Sequence, residues 1–298
     1  MSPVALALLP DFLLLIGGAF LRRMLPPAAW QAIDCLNFNV LFPALIFLSA
    51  LRARPAFDDL VVMGPGVWTG MLVACTLAWL VRGFGPARYL DFAGMWQTAW
   101  RFNTAFAVVA ATALPAEHRG LMFIAIGLGV PFANVLAVAA LSRGQGDRWR
   151  KTVLQVATNP FLVASLAGIL LSLLDLRLPE PLAGAAMRLA QAAVPLALLS
   201  VGAAVQWGAM MRMDRFEVAL NAIKLVVTPM MVWVAATGLG LGHGPTIVLT
   251  IFSALPTAAA AHVLASVYGA DRERVATLIT QSTVIGCVTL PIWLLILI

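Results

Sequence analysis

Arg101, Phe102, Asn103 and Thr104 stand together in a largely apolar stretch from residue 91 to 113. A guanidinium held away from water could neutralise an anion, and the amide and hydroxyl beside it could hydrogen-bond the same ligand. A cation in mid-span costs roughly 2.5–3.5 kcal/mol on insertion scales unless it is partnered. Snorkelling to the inner surface, or pairing with Asp91, is the structural alternative. A second unusual stretch, Ser253-Ala254-Leu255-Pro256-Thr257, leads into Ala258 to Ala261 and His262. Pro256 removes one backbone donor and crowds the carbonyl of Phe252. In lipid such a break survives only where it is buried or lines a cavity, and small neighbours let backbones approach closely. Both stretches therefore read as interrupted helices that cross near the midplane, with half-helix ends supplying a polar site.

Other polar residues are candidates for subsidiary roles. Asp11, after Pro10, and His262 are candidates for carrying a coupling proton; outer-surface hydration for Asp11 and helix contact for His262 are the structural alternatives. Asn39 and Gln191, each four residues before a proline, are placed on the substrate face of their helices. Thr277, Thr280, Gln281, Ser282 and Thr283 make the start of the last apolar stretch polar, which predicts helix contacts and at least one group, Gln281, on the pathway. Lys224 is expected to snorkel. There is no phosphate-cradling Gly-Lys-Ser/Thr loop, no His-Glu-x-x-His and no pair of acids within a span. Cys35, Cys75 and Cys287 stand singly, so neither disulfides nor a metal site are implied. No enzyme chemistry and no cofactor are expected.

These residues are carried by ten apolar stretches: 3–21, 31–51, 59–81, 91–113, 120–142, 157–174, 186–206, 217–239, 245–267 and 275–298. Each approaches the ~20 residues that cross roughly 30 Å of hydrocarbon. Hydrophobic residues make up 62% and charged residues 11%, too little polar surface to cover a soluble domain. The net charge of +6 does not imply nucleic acid, because the basic residues are scattered with no basic face. With the N-terminus outside, the inner breaks hold twelve Lys and Arg and the outer breaks five. The positive-inside rule then puts both termini on the outer, periplasmic side of an inner membrane. The first span reads as a retained N-out helix and not as a cleaved signal.

The chain repeats its punctuation at an offset near 150. Pro10 answers Pro160, Pro43 answers Pro195, and Asn39 answers Gln191. This predicts an all-α polytopic fold of two repeats, residues 1–142 and 157–298, joined by a cytoplasmic linker at 143–156. Five spans per repeat force the second to enter from the opposite side, and inverted repeats are the architecture of secondary transporters.

The chain also resembles the auxin efflux carrier family of membrane transporters, whose bacterial members include malonate and other carboxylate permeases. The matching segments are Leu41-Phe42-Pro43-Ala44-Leu45, Arg101-Phe102-Asn103-Thr104, Asn159-Pro160, Leu178-Pro179-Glu180-Pro181, Gln191 through Gly202, and Leu255-Pro256 through Asp271. The resemblance implies ten helices in two inverted repeats. Helices 1, 2, 6 and 7 would form a scaffold that can dimerise, and helices 3–5 and 8–10 a moving transport unit. Asn103 and Thr104 would lie at one crossing, Pro256 and Thr257 at the other. Family members often carry a proline shortly after Arg-x-Asn-Thr, where this chain has Val109-Ala110-Ala111, so the fourth helix is expected to bend less sharply. The reading is a secondary transporter of a small organic anion, a carboxylate, working by alternating access, with a proton or sodium ion as candidate coupling ion. A cation or cation-coupled carrier of the same architecture is the alternative, and a non-transporting receptor a more distant one.

Overall fold

A computed structural model describes residues 3–52, 57–145, 154, 157–176, 178–204 and 213–298. The regular secondary structure of the described residues is all helical, with no strand. Among the described residues, six helical segments are long and apolar enough to cross a membrane: Pro27–Leu51, Leu60–Leu80, Ala116–Gly144, Glu180–Ala204, Arg215–Gly238 and Arg272–Leu297. Most of the linker expected at 143–156 lies outside the described residues.

Local sequence sets the helix ends. Helix α1 covers Pro3–Leu21. Pro26 is extended and Pro27 opens α2 (Pro27–Leu36), where a missing N–H costs nothing. A wider π turn, Asn37–Leu41, joins α2 to α3 (Phe42–Arg52). Then come α4 (Phe57–Leu80), α5 (Tyr89–Trp96), α6 (Thr104–Ala113) and α7 (Arg119–Gly144). Asn159 caps α8 (Pro160–Leu173) by accepting from Phe161 N at 2.9 Å. Helix α9 is Glu180–Ala204. Asp214 and Glu217 form a reciprocal capping box on α10 (Arg215–Ala222), which runs through a π turn, Ile223–Val227, into α11 (Thr228–Gly238). Helices α12 (His243–Ser253) and α13 (Ala260–Tyr268) follow. Gly269 takes the left-handed conformation that ends α13, and Asp271 caps α14 (Arg272–Leu297).

Two close crossings hold the first helices of each half together. At Gly18 on α1, an added Cβ would lie 2.0 Å from the carbonyl oxygen of Leu199 on α9, and at Gly202 a Cβ would meet Leu15 O at 1.9 Å. At Gly168 on α8, a Cβ would lie 2.5 Å from Phe47 O on α3. Where lipid supplies no hydrophobic drive between helices, such close backbone contact is what holds them.

The two interruptions expected from the sequence are present. Helix α5 tightens into a 3-10 turn at Gln97–Ala99, and the backbone is irregular until α6 starts at Thr104. Between α12 and α13 no helix forms across residues 254–259. The expectation that the fourth helix bends less sharply is corrected: it is broken upstream of Asn103, where no proline is needed. The partners that permit this come from the other break. Asn103 N donates to Pro256 O at 2.8 Å, Thr257 Oγ1 to Thr98 O at 2.7 Å, and Gln97 Nε2 to Ala261 O at 3.2 Å. Backbone groups freed by each interruption are thus satisfied by the opposing one.

Candidate functional site

The irregular stretch before α6 forms part of the wall of a small cavity of about 60 Å³. Arg101, Asn103 and Thr104 line it from this stretch, Ala258 to Ala260 from the other break, Ser49 from α3 and Asn134 from α7. Arg101 is only 5% exposed. Its Nη2 donates to Asn134 Oδ1 at 3.0 Å and its Nη1 to Ala133 O at 3.4 Å, while its buried Nε has no partner. Among the described residues no carboxylate lies within salt-bridge distance of it. Both neutral contacts fix the guanidinium without neutralising it, and a buried cation without a counter-ion favours an anion in the adjoining space.

Two helices begin at the same place. Asn103 Oδ1 accepts from Phe106 N at 3.4 Å at the start of α6, and α13 starts at Ala260. Free N–H groups at a helix start carry partial positive charge. The cavity wall therefore combines one guanidinium with two helix N-termini.

The remaining candidates are dispersed. Pro256 and Thr257 sit in the crossing and do not line the cavity; Thr257 is spent on donating its Oγ1 to Thr98 O and its backbone N–H to Ser282 Oγ of α14, at 3.2 Å. Gln281 lies away from the cavity, bonded by Asn221 at 3.2 Å and 3.5 Å from Glu217. Thr277, Thr280 and Thr283 donate to carbonyls four residues back in their own helix. Asn39 is exposed and bonds Cys35 O at 2.9 Å, and Gln191 is exposed on α9. The Asp11 side chain lies outside the described residues. His262 is fully buried beside Asp34 and Ser200.

Lys224 does not snorkel. It is 4% exposed, and its Nζ lies 3.4 Å from Ser253 O at the C-terminal end of α12. A half-helix that stops inside the protein leaves unpaired carbonyls and a negative dipole end, which offers the ammonium a partner nearer than the surface.

Sequence reasoning missed Asn134, Asp34 and Ser200. The signal for Asn134 was available, since it stands among apolar residues of the fifth stretch three positions after Pro131. Asp34 stood near the edge of its stretch and passed as a boundary residue.

A helical, membrane-crossing chain with an interrupted helix pair beside a charged cavity has the architecture of a membrane transport protein. Residues 148–294 match the family model described as "Membrane transport protein". An "Uncharacterized transporter" of Methanothermobacter thermautotrophicus is 28% identical, the alignment covering 96% of each chain. A "Putative malonate transporter" of Rhizobium meliloti is 24% identical, with 97% of this chain and 94% of its own covered. These similarities agree with the resemblance to the auxin efflux carrier family read from the sequence, and together with the apolar helices they support a multi-pass membrane protein.

Proposed function

We propose that the protein is a secondary transporter that moves a small organic anion, a carboxylate, by alternating access, and that the cavity at Arg101 is its substrate site. The observation that carries this is the buried Arg101 guanidinium on the cavity wall, held by neutral groups only and flanked by the starts of α6 and α13. A carboxylate there would accept charge-assisted bonds from the guanidinium and from helix N–H groups. The name of the Rhizobium relative agrees with a dicarboxylate substrate. A cationic substrate would meet repulsion at the same wall.

Alternating access rests on two inverted repeats, 1–142 and 157–298, in an inner membrane with both termini outside. Support comes from the close crossings. Gly18 meets Leu199 O and Ala203 N, and Gly168 meets Phe47 O and Leu51 N. The glycines differ by 150 in number and these two partner residues by 152, so exchanging the halves carries the one pair of contacts onto the other. That is what a two-fold relation between the halves requires.

The test is counterflow of radiolabelled malonate and other C3–C4 dicarboxylates in proteoliposomes. Saturable counterflow that collapses in Arg101→Gln is the expected result. Counterflow that survives this change undiminished removes the anion site, and absence of counterflow across the panel removes the carrier reading.

A further inference from the structure

Among the described residues, the most deeply buried ionisable cluster lies outside the substrate cavity. Asp34 on α2 is 1% exposed and His262 on α13 0%. Ser200 on α9 donates to Asp34 Oδ1 at 2.6 Å, and its Oγ is 3.4 Å from His262 Nε2. The other carboxylate oxygen, Asp34 Oδ2, lies 3.4 Å from His262 Nε2 yet has no hydrogen-bond partner. On the far side of the ring, His262 Nδ1 lies 3.2 Å from Arg272 O.

Hydrogen bonding assigns the protons. A backbone carbonyl only accepts, so Nδ1 must carry hydrogen. A neutral imidazole then presents a bare lone pair on Nε2 to an ionised carboxylate, two acceptors face to face in a dry site. One further proton on Nε2 turns that repulsion into a charge-assisted bond, with Ser200 Oγ accepting as well. Arg272 Nη1 approaches Asp34 Oδ2 at 3.9 Å, and Ser266 on α13 also faces the carboxylate. This approach gives the carboxylate a partial counter-charge but leaves the gap at Nε2 open.

A route for the proton exists. A second cavity of about 240 Å³ is lined by Ser200 and Arg272 of the cluster, together with Arg22, Trp30 and Glu273. Trp30 on its wall and Ser49 on the wall of the substrate cavity lie along one helical path, about 28 Å apart at 1.5 Å per residue. The two cavities therefore serve different ends of the α2–α3 path, with the cluster against the one where α1 ends. Helix α13 joins them: Ala260, its first residue, lines the substrate cavity, and His262 one half-turn later enters the cluster.

We propose that Asp34, His262 and Ser200 form the coupling-ion site of the carrier, binding one proton at His262 Nε2, and that the bound proton latches α13 to α2 and α9. The step is proton binding alone: an N–H bond forms at Nε2 with H⁺ taken from water of the second cavity, release returns it there, and no electrons move. With the proton bound, α13 is tied down and the substrate cavity is closed toward the α1 end. Without it, the two acceptors repel and α13 is freed, moving the helix start that faces the substrate. Substrate and proton then act on one element and must influence each other's binding. The proposal rests on the carrier reading above.

The test separates the two. Hydrogen–deuterium exchange across residues 254–268 of the purified, substrate-free protein is compared at pH 5.5 and 8.5, corrected for intrinsic rate. Wild-type protein should exchange roughly tenfold or more faster at pH 8.5, the change that losing one charge-assisted bond produces. Asp34→Asn, His262→Gln and the mild Ser200→Ala should flatten that step. Equal protection of the wild type at both values, or a step that persists in Asp34→Asn and His262→Gln, overturns the latch. Counterflow without the step removes the proton site and leaves the carrier; the step without counterflow does the reverse.

Discussion

At the scale of single residues, the decisive feature is how Arg101 is held. Asn134 and the Ala133 carbonyl orient the guanidinium and leave its charge uncompensated. Arg101→Gln should weaken carboxylate affinity about ten- to a hundredfold, the worth of a charged hydrogen bond, read as the concentration dependence of counterflow. Arg101→Lys keeps the charge but not the fork, so it should recover part of that loss. Asn134→Ala should raise the half-saturating concentration with a smaller effect on folding. Arg101 was legible in the sequence because a cation inside an apolar stretch is conspicuous. Asn134, its orienting partner, was not singled out, although an amide three positions after Pro131 in an apolar span was a readable signal; what the chain alone does not show is that it meets Arg101. Lys224 was misread for a related reason: the acceptor that keeps it inside, Ser253 O, exists only because α12 stops short.

The helical elements explain where the strain of two broken helices goes. Thr257 Oγ1 is the one side chain that donates across the crossing from the Pro256 break, to Thr98 O at 2.7 Å. Thr257→Val would leave that buried carbonyl unpaired, so we expect a loss of about 1–3 kcal/mol, measured by thermal unfolding in detergent. Gly286 lies where α14 passes the Pro256 ring, and an added Cβ would sit 2.4 Å from its Cγ. Gly286→Val should therefore displace the break, whereas Gly184→Ala, with nothing within 4 Å, should raise stability by up to about 1 kcal/mol. Pro256 made the second break readable in advance. The first break was readable from its polar residues alone, and the missing proline misled about its sharpness, because the cause is tertiary: Asn103 N finds its acceptor 153 positions away, at Pro256 O.

For the whole molecule, the pseudo-equivalence of the Gly18 and Gly168 crossings makes a quantitative demand. Gly18→Val and Gly168→Val should destabilise the protein to a similar degree, since each drives a side chain into a carbonyl of a matching helix. Sidedness gives a second check. In a background without Cys35, Cys75 and Cys287, Ser49→Cys and Ala204→Cys line the two different cavities. An impermeant maleimide should reach them from opposite faces of the membrane; labelling of both from one face contradicts the proposed arrangement. The apolar stretches and the offset near 150 could be read from the chain, since both are one-dimensional. The assembly of Asp34, Ser200 and His262 could not, because it joins residues from α2, α9 and α13 that share no spacing.

The mutual satisfaction of the two breaks also bears on biogenesis. When the ribosome has delivered only the first half, the partners that Asn103 N and Thr98 O find at Pro256 and Thr257 are not yet synthesised. The early intermediate must keep water or a chaperone against residues 97–103 until the later stretch arrives. A fragment ending near residue 145 should be degraded when expressed by itself and rescued by co-expression of the remainder, so the order of translation becomes part of how this transporter matures.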